Sequence, residues 1–343
     1  MSTTGSSVKT SPCTTCILCG AQGTLVYHGL ADSTGALAGD WDIRRCTDTS
    51  CGLLWVDPKP DRDDIWKAYR KYFTHKDHQA PTTRRNRRLT NLLRNISKPL
   101  STLAVHLGGL RVFEKEVGKK AEIMFLGHAH RGQRLLDVGC GNGSFLAKMK
   151  GIGWIVEGTE TDPGAAENAS DTYGFKIHHG RLEELHLEGE SFDAITMSHV
   201  IEHVHDPVSL LKECFRLLKP GGKIVVKTPN PDSLGHRLFR EHWISLFPPG
   251  HLHLFSRAAL RLCADMARFR SVDTWSIPPG NTVGIGLESI FLRERSVSDK
   301  YEDVWRFPRA FFFRIRELAA LRRGEAVGEE NVLVGRKEED GAA

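Results

Sequence analysis

The chain of 343 residues has no long hydrophobic run and no internal repeat. No stretch approaches the ~18 apolar residues that a membrane-spanning helix requires, so we expect no integral helical membrane protein. The sequence also shows no secretory signal, and we therefore expect a cytoplasmic protein whose eight cysteines are thiols or metal ligands rather than disulfides. The length allows about two domains, and the polar residues 1–12 are expected to form a disordered tail.

Four cysteines near the start occur in two short pairs. Cys16 and Cys19 form the first pair and Cys46 and Cys51 the second, and a glycine directly follows Cys19 and Cys51. This layout is typical of a zinc ribbon, in which four thiolates around a structural Zn²⁺ replace a hydrophobic core that so short a segment cannot build. The second pair is wider than usual, and Cys13 is an alternative to Cys16. The other possibility is that these cysteines are unpaired thiols without metal.

A glycine-rich segment, RLLDVGCGNGSF, occupies residues 134–145. Arg134 to Val138 are predicted to form a buried parallel strand, and the glycines that follow allow a sharp turn and a close ligand approach. Glu160 follows a second apolar run, and its carboxylate would accept both ribose hydroxyls of an adenosine. The segment therefore predicts a site for a nucleotide-type cofactor.

The position of an acid in this segment distinguishes two cofactor classes. A dinucleotide site places its third glycine where this chain has Ser144, and it leaves the turn free for a pyrophosphate. Asp137 precedes the first glycine by two residues and would repel a phosphate. It would attract a cationic group instead, such as the ammonium or sulfonium of S-adenosylmethionine.

Strand and helix patterns alternate along the rest of the chain and predict a doubly wound, α/β, mostly parallel sheet. A segment predicted to be an insertion, 278–330, separates the last two strands. The further predicted strands lie near Trp154–Val156, Phe175–His178, Phe192–Met197, Lys223–Lys227, Arg270–Ile277 and Asn331–Arg336.

Five motifs together resemble a class I S-adenosylmethionine-dependent methyltransferase of the ubiquinone-type branch. They are LLDVGCGNGSFL, VEGTETDP, FDAITMSHVIEHVHDP, LLKPGGKIVVKTPN and FPPGHLHLFS, and they cover about residues 130–276. The resemblance implies a seven-stranded, Rossmann-like sheet. It also implies cofactor contacts from Asp137, Gly139, Cys140, Gly141, Gly143, Glu160, Thr161, Arg181, Leu182, Ser198 and His199.

The segment that follows the ribbon resembles the N-terminal module of methyltransferases acting on sugars and natural products. In those relatives an aromatic residue closes over the cofactor pocket, and Tyr72 matches that place. The resemblance implies an acceptor that is a small molecule.

Histidines and one glutamate form the predicted catalytic group. The Glu202-His203 pair falls beside the transferable methyl group in the resembling family, and His203 is suited to removing a hydroxyl proton near neutral pH. Some ubiquinone-type relatives bind a divalent ion through a Glu-x-x-Glu-His pattern, but His199 stands at the first glutamate position here. His199, Glu202 and His203 are therefore an alternative divalent-ion site, and a purely structural role is the third possibility. His251 and His253 belong to a loop that faces the substrate in the family.

Residues 84–120 contain ten Lys or Arg against two Glu, although the whole chain is only +5. The basic charge belongs to this segment, which is expected to be a helical linker that binds an anionic membrane face, a phosphorylated or lipid-linked substrate or nucleic acid, or simply packs on the sheet. A nucleic-acid partner is disfavoured because the ribbon itself is not basic. The insertion carries aromatic residues and arginines at helical spacing and is expected to cover the active site or contact a membrane.

These features predict a methyltransferase for a small-molecule acceptor, with a hydroxyl of a sugar, a lipid-linked saccharide or a natural product preferred. The alternatives are a nucleic-acid-binding protein without turnover and a methyltransferase acting on RNA or protein. No oligomeric state is predicted. The expected divisions are a tail 1–12, a zinc-ribbon module 13–60, a basic helical linker 61–130, a cofactor-binding core 131–277, a helical insertion 278–330 and a last strand with tail 331–343.

Overall fold

A computed structural model describes residues 8–69, 109–280, 282–294 and 303–338, with side chains from residue 308 onward in the last range. Tyr72 and most of the basic segment 84–120 lie outside the described residues. The strands are β1 (Thr10–Ser11), β2 (Gly23–Ala31), β3 (Asp40–Cys46), β4 (Leu54–Asp57), β5 (Lys59–Pro60), β6 (Arg134–Val138), β7 (Ile155–Glu160), β8 (Lys176–His179), β9 (Phe192–Ser198), β10 (Leu218–Pro229), β11 (His253–Leu254), β12 (Arg270–Ile277) and β13 (Glu330–Arg336).

Helices occupy most of the connections between these strands. They are α1 (Trp66–Tyr69), α2 (Leu110–Glu122), α3 (Ser144–Gly151), α4 (Pro163–Tyr173), α5 (Pro207–Leu217), α6 (Leu234–Phe239), α7 (Arg257–Met266), α8 (Thr282–Glu294) and α9 (Asp303–Arg322). Short 3₁₀ turns add Leu182–Glu184, Ile201–His203, Arg240–His242 and Ile244–Leu246. Among the described helices, none is both long and apolar enough to cross a bilayer.

The central sheet has seven strands in the order β12, β13, β10, β9, β6, β7, β8. The strands from β10 to β8 pair in parallel, whereas β13 is antiparallel to both of its neighbours. The prediction of a doubly wound, mostly parallel seven-stranded sheet is confirmed. Crossover helices cover both faces of such a sheet, which explains why most residues of the inner strands β6 and β9 are buried.

Several crossover helices begin at a side-chain cap. The carboxylates of Asp162 and Asp206 accept hydrogen bonds from Ala165 N and Ser209 N at the starts of α4 and α5. Ser256 caps α7 in the same way. These caps fix where each chain segment leaves the carboxyl edge of the sheet, which is the edge that collects the polar residues described below.

The N-terminal module is joined to the rest of the molecule by a shared sheet. Strands β2, β3 and β4 are antiparallel, and β11 adds a fourth strand from the loop after α6. The module also shares a core with the central domain, because Cys51 and Trp55 pack in the same apolar cluster as Phe255 and Cys263. The segment 13–60 thus packs into the same core as the central domain.

The described part of the predicted tail is ordered by strand pairing. Thr10 and Ser11 form β1, which pairs with Lys59 and Pro60 of β5. The expectation of a disordered tail as far as residue 12 is thus wrong for these residues, because the backbone of β5 offers them an antiparallel partner.

The insertion folds as two helices, α8 and α9, that pack against each other. Ile290 and Phe313 from these helices share an apolar cluster with Trp243 and with Trp41 of β3. Phe312 stays 64% exposed and Phe291 47% exposed. Apolar residues of both helices are thus buried in one cluster with residues of the N-terminal sheet and of β11.

Candidate functional site

The glycine-rich turn after β6 leaves open space at one of its three glycines. Gly139, Gly141 and Gly143 all have left-handed backbones, with φ of 71°, 53° and 77°. A Cβ on Gly139 would lie 2.5 Å from Val200 Cγ2, and one on Gly143 would lie 3.1 Å from the Cβ of Ala169. A Cβ on Gly141 would meet nothing within 4 Å. Gly139 and Gly143 are thus required for packing, whereas Gly141 borders free space.

Two acids flank this turn from adjacent strands. Glu160 ends β7, and its Oε2 accepts a hydrogen bond of 2.8 Å from Gly141 N. Its Oε1 accepts from Thr161 N at 2.8 Å and from Asp162 N at 3.0 Å. Asp137 lies in the neighbouring β6. The predicted juxtaposition of acids and glycine turn at one edge of the sheet is present.

Asp137 is buried, and the pKa of its carboxyl group lies close to neutral pH. Its Oδ1 accepts a 2.7 Å hydrogen bond from Thr196 Oγ1. Burial raises the pKa of its carboxyl group to about 7, and the charge of Glu160 adds to the rise although the bond from Thr196 opposes it. A cation near Asp137 would be stabilised by the ionised form.

Cys140 and Thr161 border the turn in different ways. The Cys140 thiol is packed so closely against β7 that a Cβ on Gly158 would lie 2.6 Å from its Sγ. Burial, with the nearby Asp137 and Glu160, raises the pKa of this thiol to about 12. Cys140 therefore contributes its backbone to the turn, while Thr161 is exposed beside Glu160.

The segment predicted to flank an adenine is held next to Glu160. Gly180 N donates to the Glu160 carbonyl oxygen at 2.9 Å, which places Arg181 and Leu182 directly after this contact. The Arg181 guanidinium donates to the Arg62 carbonyl oxygen at 3.1 Å, and the Leu182 side chain is buried. The backbone here thus lies beside the end of β7.

Ser198 and His199 continue the edge at the end of β9. His199 N donates to the Lys227 carbonyl oxygen of β10 at 2.8 Å, and His199 has a left-handed φ of 55°. Its Nε2 lies 2.7 Å from Glu330 Oε1, and its Nδ1 lies 3.2 Å from Glu202 Oε1. Burial opposes its charging, but these two carboxylates raise the pKa of His199 to about 10. His199 is a charged bridge between two buried acids.

Glu202, His203 and His251 form a compact group. Ligand atoms of these three side chains lie within 4.8 Å of one another. Oε2 of Glu202 accepts from Thr228 Oγ1 at 2.8 Å. His203 Nδ1 lies 2.8 Å from the Gly250 carbonyl oxygen, and His251 Nδ1 lies 2.7 Å from that of Ser245. Because a carbonyl oxygen only accepts, each Nδ1 carries the ring proton and each Nε2 carries the basic lone pair.

This group corrects the predicted metal set of His199, Glu202 and His203. The prediction assumed one helical turn, but only Ile201–His203 forms a 3₁₀ turn, and His199 precedes it with both nitrogens directed at carboxylates. Within the described residues, the histidine that joins Glu202 and His203 is His251, from the loop before β11.

The electrostatics of the group favour neutral imidazoles beside an ionised acid. Burial lowers the pKa of His203 below its ordinary value, and burial together with His203 lowers that of His251 to about 3. Burial opposes ionisation of Glu202, but the contact with His199 and the nearby histidines hold its pKa at about 2. Neutral imidazoles can accept a proton or bind a metal ion.

Of the two histidines in the loop after α6, His253 lies elsewhere. It belongs to β11, pairs with Trp55 of β4 and is fully buried beside Phe255, with ring centroids 6.0 Å apart. Its side chain is therefore part of the shared sheet and does not join Glu202 and His203. His251 precedes β11, whereas His253 is its first residue, so the two histidines lie in different surroundings.

The four predicted cysteines converge. Sγ of Cys16 and Sγ of Cys51 are 3.7 Å apart, those of Cys19 and Cys46 are 3.3 Å apart, and all four lie within 4.8 Å. Tetrahedral zinc with bonds of ~2.3 Å needs sulfurs about 3.8 Å apart, whereas a disulfide needs about 2.05 Å. Gly20 and Gly52 take left-handed backbones behind the two pairs, with φ of 74° and 65°. The donors fit a zinc ion.

Cys13, the alternative ligand, is outside this cluster. Its amide donates to Asp57 Oδ1 at 2.8 Å, and its carbonyl accepts from the Trp55 indole at 2.7 Å. The set Cys16, Cys19, Cys46 and Cys51 is thereby preferred over any set with Cys13.

Sequence analysis missed two residues that support this edge. Glu330 begins β13 and holds His199, and Lys227 Nζ lies 3.5 Å from its other oxygen. Thr228, at the end of β10, donates to Glu202. A signal for Glu330 exists in the sequence, because an acid at the start of an apolar strand must find a partner when it is buried.

Comparisons with known proteins agree with this architecture. Residues 112–273 match the family model of a methyltransferase domain. This match and the sheet with one antiparallel strand define a class I S-adenosylmethionine-dependent methyltransferase domain. Within that class, the chain is 35% identical over 134 residues to the ubiquinone biosynthesis O-methyltransferase of Cereibacter sphaeroides, covering 37% of this chain and 54% of that protein.

Another relative is the ubiquinone biosynthesis O-methyltransferase of Neisseria meningitidis serogroup C, at 35% identity over 141 residues, 37% of this chain and 58% of the relative. The chain thus spans about half the length of these curated relatives. Among solved structures, a SAM-dependent methyltransferase from Archaeoglobus fulgidus has a TM-score of 0.44 at 20% identity, over 66% of this chain and 94% of that one. The phosphoethanolamine N-methyltransferase 2 of Haemonchus contortus also has a TM-score of 0.44 at 20% identity, over 64% and 52%.

Proposed function

We propose that this protein transfers a methyl group from S-adenosylmethionine to a small-molecule acceptor, at a hydroxyl of a sugar, a lipid-linked saccharide or another natural product. The observation that carries the proposal is the pair of acids, Asp137 and Glu160, on adjacent strands around the open turn at Gly141. We further propose a cytoplasmic protein in peripheral contact with a membrane, and a division of the chain at the predicted boundaries from residue 13 onward.

In this proposal the residues around the turn bind the cofactor. The Asp137 carboxylate stabilises the cationic end of S-adenosylmethionine, and Glu160 accepts the ribose hydroxyls while it retains its bonds to backbone amides. The Arg181-Leu182 backbone lies at the adenine, and Ser198 and His199 lie at the methionine end. The bound cofactor supplies a methyl group on a sulfonium leaving group, so the protein mainly aligns donor and acceptor.

His203 is the proposed general base. Its Nδ1 is anchored to the Gly250 carbonyl oxygen at 2.8 Å, which orients Nε2 as the basic nitrogen. Burial keeps the ring neutral, and the ionised Glu202 stabilises the imidazolium that forms when the acceptor hydroxyl gives up its proton. This arrangement raises the nucleophilicity of the oxygen only when the acceptor is in place.

A second candidate role for the same group is a divalent-ion site made by Glu202, His203 and His251. The supporting observation is Glu202 Oε1, which is buried and accepts no hydrogen bond of good geometry from the described residues, although His199 Nδ1 lies 3.2 Å away. Imidazoles that donate from one nitrogen to a carbonyl, as His203 and His251 do, are typical metal ligands through the other. A bound ion would lower the pKa of an acceptor hydroxyl.

We also propose a structural zinc ion at Cys16, Cys19, Cys46 and Cys51. The four thiolates complete a tetrahedral set and leave no open position for catalysis. The ion would fix the two turns that hold β3 and β4 against the central domain.

Calorimetric titration with S-adenosylmethionine tests the proposed function. Wild type and Asp265→Ala, which removes an exposed acid of α7 outside the turn, should bind saturably, whereas Asp137→Ala and Glu160→Ala should lose binding. Absence of binding to folded, zinc-loaded wild type would contradict the proposal, and so would equal binding by all four proteins.

A further inference from the structure

We propose that an arginine-lined depression between α6 and α9 binds a phosphate or diphosphate group of the acceptor; this inference rests on the proposed methyltransferase function and narrows its substrate class. The depression has a volume of about 200 Å³ and is rimmed by Arg237, Arg316, Arg323 and Glu325. Its size exceeds several water molecules at ~30 Å³ each, so a diphosphate has room there.

The local sequence explains why a depression exists. Arg316 lies on α9, and Arg323 directly follows the last residue of α9, where its N–H donates to the Ala319 carbonyl oxygen at 3.3 Å and continues the helical turn. The two residues are seven positions apart and therefore share one face. The residues between them on this face, Ala319 and Ala320, are small and form the floor with Leu234 and Val327. Two long cationic side chains therefore stand on either side of a shallow apolar floor.

The charges of the rim are not balanced within the protein. Arg323 is paired with Glu325, with NH2 2.8 Å from Oε1. Among the described residues, no carboxylate lies within ion-pair distance of Arg237 or Arg316. Two guanidinium groups that face one small volume repel each other, and an anion between them removes that repulsion. Guanidinium groups bind phosphate oxygens through paired hydrogen bonds, which makes phosphate the best matched anion.

The depression is connected to the candidate site through the segment that leads into β13. Leu234 N donates to the Val327 carbonyl oxygen at 2.8 Å, and Asn230, which follows β10, donates its amide to the Glu329 carbonyl oxygen at 2.9 Å. Glu330 is the next residue and holds His199. An acceptor anchored by its phosphate would thus have its sugar or other organic part directed along the carboxyl edge of the sheet, toward Glu202 and His203.

Binding of inorganic pyrophosphate, measured by calorimetry, tests the inference. The double variant Arg237→Ala/Arg316→Ala is compared with wild type and with a control of equal charge loss, Arg261→Ala/Arg270→Ala, whose arginines are exposed on α7 and β12. We expect saturable binding by wild type and control, and a loss of at least tenfold in affinity in the Arg237/Arg316 variant. Equal affinities in all three proteins, or no binding in any of them, would overturn the inference.

Two further arms identify the source of the phosphate and separate the two proposals. Sedimentation with phosphatidylcholine vesicles containing phosphatidylglycerol, in place of pyrophosphate, shows whether a lipid head group is bound by the same arginines. A loss in the Arg237/Arg316 variant with both pyrophosphate and vesicles assigns a lipid head group, whereas a loss with pyrophosphate alone assigns a soluble phosphate or diphosphate group. S-adenosylmethionine binding should be unchanged in every variant; failure of wild type to bind S-adenosylmethionine would contradict the proposed function even where pyrophosphate binds.

Discussion

The amide of Gly141 donates to Glu160 Oε2 over 2.8 Å and so joins the glycine turn of β6 to the end of β7. The same carboxylate also receives amide hydrogens from Thr161 and Asp162. The acid is therefore held in place before any ligand arrives. A ligand hydroxyl that binds it gains a preorganised acceptor without ordering a side chain.

Gly141→Ala and Gly139→Ala should have different effects, because Gly141 borders the space proposed for the cofactor whereas Gly139 is packed against Val200. Alanine at either left-handed position costs about 1–2 kcal/mol in backbone strain. At Gly141 the methyl group enters open space, so we expect cofactor affinity to fall at least tenfold with a modest drop in Tm. At Gly139 the clash with Val200 should add about 1–3 kcal/mol of destabilisation. Calorimetry and thermal melts measure both effects, and equal Tm losses would contradict this division.

Cofactor affinity should depend on pH through Asp137. Because the pKa of this carboxyl is raised from 3.8 to about 7, the anion that attracts a cationic ligand is lost as pH falls below 7. We expect affinity to fall by up to tenfold for each pH unit in that range. Asp137→Asn should bind weakly, and its affinity should not show the fall below pH 7 that protonation of Asp137 causes. Any pH dependence that remains in this variant comes from titration of the ligand and can be subtracted. Parallel profiles for the two proteins would rule out Asp137 as the titrating group.

The same shift predicts a change in the stability of the ligand-free protein. A carboxyl group whose pKa is raised by folding stabilises the fold fully below 3.8, and this contribution is lost as pH rises through about 7. Asp137→Asn should therefore become more stable relative to wild type as the pH is raised from about 5 to 8. Urea denaturation at several pH values measures the difference, and a constant difference would contradict the assignment.

His203→Ala should lower the turnover number by about 10²–10⁴-fold without weakening cofactor binding, because the ring is proposed to take a proton only from the acceptor. His130→Ala, outside the site, is the control. The measurement requires an acceptor found by screening, with cofactor binding followed in parallel. A His203 variant with wild-type turnover would remove this residue from the mechanism.

His251→Ala distinguishes the two roles proposed for Glu202, His203 and His251, which are a general base at His203 and a divalent-ion site. If a divalent ion is bound, then chelator should abolish turnover, added ion should restore it, and His251→Ala should raise the ion concentration needed for half-maximal activity. If His203 is a simple base, chelator should have no effect on zinc-retaining protein. Metal content before and after treatment shows which ion has been removed.

The cysteine cluster should hold one zinc ion per chain. Cys19→Ser and Cys46→Ser should lose that ion and lower Tm, because β3 and β4 depend on the turns that carry these thiolates. Cys13→Ser is the matched control and should retain full zinc content, since its thiol lies outside the cluster. Zinc loss in Cys13→Ser or zinc retention in Cys19→Ser would refute the ligand set.

The sequence could predict the central sheet and the acids at its edge because both signals are local. A buried parallel strand is a short apolar run, and Asp137 and Glu160 lie within or directly after such runs. The partners of His203 depend on the path of a loop that begins 47 residues away, in which Leu252 N donates to the Glu202 carbonyl oxygen at 2.8 Å. Glu330 is still farther along the chain. No sequence periodicity predicts such contacts between distant residues. The sequence analysis therefore gave His251 and His253 the same role and did not include Glu330.

Leu252 has a second contact of the same kind: its carbonyl oxygen accepts from Val56 N of β4 at 3.1 Å. The peptide segment at Leu252 thus bonds to β4 of the N-terminal sheet on one side and to the backbone of Glu202 on the other, and His251 is the adjacent residue. For anyone engineering this protein, the practical unit is the whole chain. A fragment cut at residue 131 would keep every strand of the Rossmann-like sheet, yet it would leave the loop that carries His251 without its strand partner.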